Sequence, residues 1–242
     1  VQIDLEDAVP YSEKDAARIL VRRFLENYKE RNKEILVRIN ALDTKWALDD
    51  LKAVLPARPD GIRLPKADSP EIVERLDTLL TEYEEELGLE VGHFRILPSI
   101  ETAQGVINAV QTARASSRLI GLAFGAEDYV TTMEIERTKV GEELFNARMN
   151  VLWGAKAAGI QAIDSIFADV NDMEGLRHET ELIKRLGFTG KCMINPRQID
   201  IIHEVFAPKQ AEVDYALEVI DAIKRAREMG TGVISLKGKM ID

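Results

Sequence analysis

The chain has one cysteine, Cys192, so no internal disulfide can form, and this usage fits a reducing cytoplasm. Its three histidines, His93, His178 and His203, are scattered without the spacing of zinc ligands. No apolar run reaches the ~18 residues that a spanning helix needs. No secretory signal peptide opens the sequence. Positive charge is the scarcer sign: 32 Lys and Arg stand against 42 Asp and Glu, for a net charge of −10. That balance speaks against nucleic acid and anionic membrane as partners, since both call for a basic footprint. Neither G-x-G-x-x-G nor a P-loop lysine motif occurs, so nothing advertises a nucleotide loop.

What is present is a regular alternation. With 242 residues, 45% apolar and 31% charged, the chain can build one large α/β domain. Apolar runs that read as strands lie at Val1–Leu5, Ile35–Asn40, Gly61–Lys66, Arg95–Glu101, Leu119–Gly125, Ile160–Ile166 and Gly190–Asn195. Helical patterns fall between them, from about Ser12 to Arg31, Thr44 to Val54, and Ser69–Pro70 to near Gly88. Further ones follow on the face of Val106, Val110 and Ala113, then from Gly141 to Ala158 and from Glu174 to Leu186. A short helix from Pro196 and a long one from Gln210 to Met229 complete the series. No linker interrupts it. Seven strand–helix units from a blunt start predict an α/β fold of the (β/α)8 TIM-barrel type, its first strand upstream of Val1. The barrel would span 1–229, with 230–242 as a tail.

In such a barrel the active site lies where strands end. The polar residues there are Asp4, Glu6, Asp7, Arg38, Asn40, Lys66, Glu101, Glu127, Asp128, Asp164 and Asn195. Taken singly, each also reads as a helix cap or a solvated turn. Arg38, inside LVRIN, should point into the barrel mouth, where it needs carboxylates or a substrate anion; its planar fork suits a substrate carboxylate. Glu101 and Asp128 are 27 residues apart, about one strand–helix unit. On neighbouring strands roughly 4.8 Å apart their carboxylates would leave the same sheet edge. Two hard oxygen ligands, with other positions left to water and substrate, is how Mg²⁺ is usually held. A helix cap at Glu101 and a turn at Asp128 are the alternative.

Taken together, IDLEDAV, VRINALD, IRLPKAD, PSIETAQG, GLAFGAEDY, GIQAIDS and GFTGKCMINPRQI resemble the citrate lyase β-subunit family. The wider group comprises Mg²⁺-dependent citryl-, malyl- and citramalyl-thioester lyases. The likeness runs in order over nearly the whole chain and ends in VISLKGKMID. It implies a trimer- or hexamer-forming barrel that cleaves citryl-acyl-carrier-protein to oxaloacetate and acetyl-acyl-carrier-protein, working with an α subunit and an acyl-carrier γ subunit. It further implies Glu101 and Asp128 as Mg²⁺ ligands and Arg38 as the group that binds the oxaloacetate portion and polarises its oxygen. The N–H groups of Ala126, Glu127 and Asp128 would hold the distal carboxylate. Glu6 and Asp7 would orient Arg38 and metal-bound water. Asp242 would be an acid/base donated across the subunit interface.

Two parts of the family pattern have no counterpart in these residues: a first strand with phosphate- or pantetheine-binding groups, and a lid after GKMID. The alternative substrate is a free coenzyme A ester, cleaved by a lyase or hydrolysed by a thioesterase. A related pyruvate aldolase group carries His where Asp7 stands, and a non-catalytic scaffold has no use for a costly charged cluster such as Arg38, Glu101 and Asp128. The chemistry needs no covalent nucleophile, so Cys192 is expected to be a packed strand residue.

Overall fold

The computed structural model describes residues 1–28, 32–228, 230 and 234–241. Seven strands form one wholly parallel sheet in sequential order. They are β1 (Gln2–Asp4), β2 (Leu36–Arg38), β3 (Gly61–Leu64), β4 (Arg95–Ile100), β5 (Gly121–Phe124), β6 (Gln161–Asp164) and β7 (Gly190–Lys191). A doubly wound sheet would reverse direction part-way; this one does not. It curls instead. Arg63 on β3 hydrogen-bonds Gln2 on β1, Ser99 on β4 and Cys192 just past β7, so both edges come within reach of one side chain.

Among the described residues β7 does not pair with β1, so the sheet is an open, curled half-barrel of seven strands and not the closed eight-stranded barrel. The strands are also shorter than their apolar runs. Residues beyond Lys191 leave the sheet because β6 offers partners only through Asp164. Cys192 is accordingly half-buried at the end of β7 rather than packed within a strand.

Helices follow each strand: α1 (Lys14–Asn27), α2 (Ala47–Val54), α3 (Pro70–Glu86), α4 (Ala103–Thr112), α5 (Ala126–Thr132), α6 (Phe145–Ala158), α7 (Met173–Leu186), α8 (Ile199–Phe206) and α9 (Gln210–Glu228). Their apolar stripes and the outward faces of the strands make one core, with Val37, Ile62, Leu64, Ile96, Ile100 and Phe124 fully buried. Thr102 caps α4 by accepting the Gly105 N–H at 3.0 Å, and Asp172 caps α7 through Gly175. Ser69 takes the extended N-cap conformation before Pro70 but makes no side-chain capping bond. Gly154 lets α6 lie against α4, since a Cβ there would sit 2.7 Å from the Ala109 carbonyl oxygen.

Helix α5 falls in a stretch that reads only as polar. At seven residues it is too short to display an amphipathic repeat, and it is held by Tyr129 and Val130 in the core. The C-terminal segment forms an antiparallel hairpin, β8 (Ile234–Leu236) with β9 (Lys239–Ile241). No helix among the described residues is long and apolar enough to cross a membrane.

Between sheet and helices lies a buried charge cluster. Arg148 donates to both oxygens of Asp164, at 2.8 and 3.0 Å. Lys191 bridges Asp164 and Glu179 at 2.8 and 2.6 Å. Lys191 and Arg148 hold the Glu179 carboxyl down at about 2 against the opposing effect of burial. Asp164 therefore faces the helices, not the barrel mouth. Asn40 is likewise structural, bonding Leu5 O and Asp50, and Asn195 caps the turn at Arg197.

Candidate active site

Parallel strands present alternate residues to one face, and the register sets Asp4 beside Arg38. Arg38 donates from Nε to Asp4 Oδ1 at 2.7 Å and from Nη2 to Oδ2 at 2.5 Å. Its Nη1 lies 2.9 Å from Glu6 Oε2 and 3.7 Å from Asp7 Oδ2. The fork that the sequence alone assigns to a substrate carboxylate is thus filled by Asp4, with Glu6 and Asp7 beside it. These carboxylates raise the proton affinity of the guanidinium above its ordinary value, against desolvation, and it is permanently charged. Glu6 is 6% exposed and its Oε2, off the Arg38 N–H line, is buried without a hydrogen bond. Burial pushes the Glu6 carboxyl up to about 7; Asp7 and Asp4 add to the rise and Arg38 opposes it.

Glu101 directly follows β4 and is 2% exposed. Its Oε1 accepts the Lys66 N–H at 2.7 Å, while Oε2 packs against Gly125. A Cβ at Gly125 would sit 2.7 Å from the Glu101 Cβ and 2.8 Å from Oε2, so the carboxylate is seated in a cradle only glycine leaves open. Burial raises the Glu101 carboxyl to about 7, with Asp128 and Glu6 adding to the rise. Asp128, in the first turn of α5, is also raised, by burial first and then by Asp7, with Lys66 and Arg38 opposing.

Asp4, Asp7, Arg38, Glu101, Glu127 and Asp128 line one cavity of about 620 Å³. Neither Glu101 nor Asp128 forms an ion pair with a described cation. No group of three His, Cys, Asp or Glu converges as a metal cage among the described residues. Two hard oxygen donors facing one cavity, one of them buried without a counter-charge, fit a divalent cation that keeps water or substrate in its other positions. The donor set suits Mg²⁺ and not a thiophilic metal.

The remaining expected residues fall as follows. The Ala126 N–H donates to Ser165 Oγ at 2.9 Å, so it is already committed. Those of Glu127 and Asp128 lie in the first turn of α5 and have no intrahelical acceptor. The Glu127 side chain turns away toward Arg137, 3.8 Å off. Asp242 lies outside the described residues. Asp4 as the partner of Arg38, and the Lys66 N–H as the partner of Glu101, are roles that strand ends alone do not reveal. Aligning the ends of successive parallel strands puts Asp4 level with Arg38 and would have found the first.

A profile of the HpcH/HpaI aldolase/citrate lyase family matches residues 1–196. The chain belongs to that family. It is similar to the citrate lyase subunit beta of Leuconostoc mesenteroides subsp. cremoris, 47% identical over all of this chain and 80% of that protein. Among solved structures it is similar to the protein CitE from Mycobacterium tuberculosis in complex with magnesium, acetoacetate and coenzyme A. That likeness has a TM-score of 0.78 at 28% identity and covers 100% of this chain and 84% of the other. A citrate lyase beta subunit from the same organism, complexed with oxaloacetate and magnesium, matches with a TM-score of 0.70 at 28% identity over 86% of each chain.

Proposed function

We propose that this family member is a Mg²⁺-dependent carbon–carbon lyase that cleaves citryl-acyl-carrier-protein to oxaloacetate and acetyl-acyl-carrier-protein. The observation that carries the reading is the pair Glu101 and Asp128, two carboxylates from successive strand–helix units facing one cavity with no ion pair to a described cation. The 47% identity to a citrate lyase subunit beta supports the choice of citryl substrate.

The reaction removes the proton from a tertiary hydroxyl and breaks the bond to the carbon next to the thioester. The electron pair of that bond passes to the thioester as an enolate, the oxygen becomes the ketone of oxaloacetate, and a proton returns to the carbon. Glu101 and Asp128 would hold Mg²⁺, which when bound would supply Lewis acidity toward the substrate hydroxyl. Arg38 offsets negative charge at the reacting oxygen. Asp4 fixes the plane of the guanidinium, and Glu6 and Asp7 flank its third nitrogen, so the charge is positioned before substrate arrives. The N–H groups of Glu127 and Asp128 receive a substrate carboxylate. Asp242, donated by a neighbouring subunit in a trimer or hexamer, moves the proton to the enolate carbon.

The partners are an α subunit and an acyl-carrier γ subunit. A free coenzyme A ester is the second reading, favoured by the coenzyme A held by the M. tuberculosis relative. The experiment is to measure oxaloacetate released from citryl-carrier and from citryl-CoA, each with and without Mg²⁺. Faster Mg²⁺-dependent release from the carrier supports the proposal; faster release from citryl-CoA favours the second reading. No oxaloacetate from either would exclude both.

A further inference from the structure

Arg38 is the cation that the reaction uses, yet a second arginine faces the same cavity. Arg63, on β3, is 8% exposed. Its Nε donates to Ser99 Oγ at 2.8 Å, and its Nη1 donates to Gln2 Oε1 at 2.6 Å and to Cys192 Sγ at 3.3 Å. All three acceptors are uncharged. Nη2 makes no hydrogen bond to a described residue, and no described carboxylate forms an ion pair with the guanidinium. Glu101 feels its charge at a distance, but the Glu101 carboxylate bonds the Lys66 N–H instead.

A guanidinium buried without a counter-charge is costly, and folds that keep one generally give it an anion. Here the described surroundings pair it with none. Leu36, Leu97 and Ala123 are buried together as an apolar cluster with Ile163 packed on it, and Leu36, Leu97 and Ile163 line the cavity. The three neutral acceptors come from β1, β4 and the end of β7, so they hold the guanidinium in place from three sides without neutralising it. Arg38 is already flanked by Asp4, Glu6 and Asp7, and in the functional reading what remains of its charge goes to the reacting oxygen. Among the described residues Arg63 is therefore a fixed, unneutralised cation that opens on the substrate cavity.

A citryl unit carries two carboxylates: one on the carbon that bears the hydroxyl, and one a methylene further out. The resemblance gives the outer one to N–H groups at 126–128, but Ala126 is bonded to Ser165, and backbone N–H groups bring only partial charge. We propose that Arg63 receives the outer carboxylate, so that it selects dicarboxylic over monocarboxylic 2-oxo acids and their thioester adducts. The N–H groups of Glu127 and Asp128 then serve the carboxylate beside the reacting oxygen. The inference rests on the functional reading above.

The test is calorimetric binding of oxaloacetate and of pyruvate, with Mg²⁺ present, to the full-length protein. The two ligands differ by one carboxylate. Wild type should bind oxaloacetate at least ~10-fold more tightly than pyruvate, the scale of one charge-assisted hydrogen bond from Nη2. Arg63→Gln keeps a hydrogen-bonding group near Ser99 and should abolish that preference while pyruvate affinity stays within about twofold. Arg63→Lys, which keeps the charge but not the fork, should fall between the two. Retained pyruvate binding also reports that each variant is folded. Equal binding of the two ligands by wild type would overturn the inference, and so would a variant that weakens both to the same degree. If wild type binds neither, the functional reading itself fails.

Discussion

Lys66 gives its backbone N–H to Oε1 of Glu101 across 2.7 Å, and it does so from a left-handed conformation with φ of 49°. That conformation costs a non-glycine residue about 1–3 kcal/mol and persists only where its surroundings hold it. Here Asp68 N–H returns to the Lys66 carbonyl at 2.9 Å, and Asp68 is tied to Thr102 and Asn108. The β3 loop is thereby clamped to the β4 loop, and the clamp aims the donor at the buried carboxylate.

This gives opposite expectations for two neutral replacements. Lys66→Gly should keep Mg²⁺ affinity close to wild type, because glycine adopts the left-handed region freely. Lys66→Val should weaken it ~10-fold or more, because a β-branched residue resists that region. Both lose the ammonium. Equal losses in calorimetric titration with Mg²⁺ would assign the effect to charge and not to the backbone.

Gly125 supplies a second constraint on the same carboxylate. With a Cβ arriving 2.7 Å from the Glu101 Cβ, Gly125→Ala must displace Glu101 or the start of α5. A shift of about 1 Å in a metal ligand can cost on the order of 10²-fold in rate. We expect turnover to fall by that order while the far-ultraviolet circular dichroism stays native.

The pH dependence follows from Glu101 and Glu6, both raised to about 7. In the metal-free protein their folded carboxyls keep protons that the unfolded chain releases near its ordinary value of about 4.3. Folded protein therefore binds more protons across that window, so its stability falls as pH rises from about 4.3 to about 7 and then levels. Mg²⁺ competes with the Glu101 proton, so its affinity should climb through the same window and level above it. Denaturant midpoints with and without Mg²⁺, from about pH 5 to 8, check both trends.

Much of this was open to inspection in the bare chain. The seven strands were marked by apolar runs, and Glu101, Asp128 and Arg38 by polar residues closing them. What stayed hidden depends on contacts between segments. Asp164 closes a strand as Glu101 does, but it faces outward to Arg148 and Lys191, and strand position alone does not say which way a terminal residue turns. Arg38 was legible as a cation in need of anions. That Asp4 would fill its fork depends on register, 34 residues away. Helix α5 leaves no mark in the sequence, because seven residues carry no period. Arg63 reads as one charge in an apolar strand until its neutral neighbours are seen.

The outward charge cluster separates stability from catalysis. Asp164→Ala would leave Arg148 and Lys191 short of a buried anion, and breaking a pair of this kind costs about 3–5 kcal/mol. The loss should appear in the denaturant midpoint, while Mg²⁺ affinity of the folded protein remains that of wild type.

The account turns on Glu101 and Asp128 as the two protein ligands of a required Mg²⁺. The direct measurement is oxaloacetate release from a citryl thioester by wild type, Glu101→Gln and Asp128→Asn, each across a Mg²⁺ titration and in excess EDTA. Wild type should be active only with Mg²⁺, and both variants should be inactive at every Mg²⁺ concentration while folding normally. Wild-type turnover that persists in excess EDTA, or a variant that keeps wild-type activity, would contradict it.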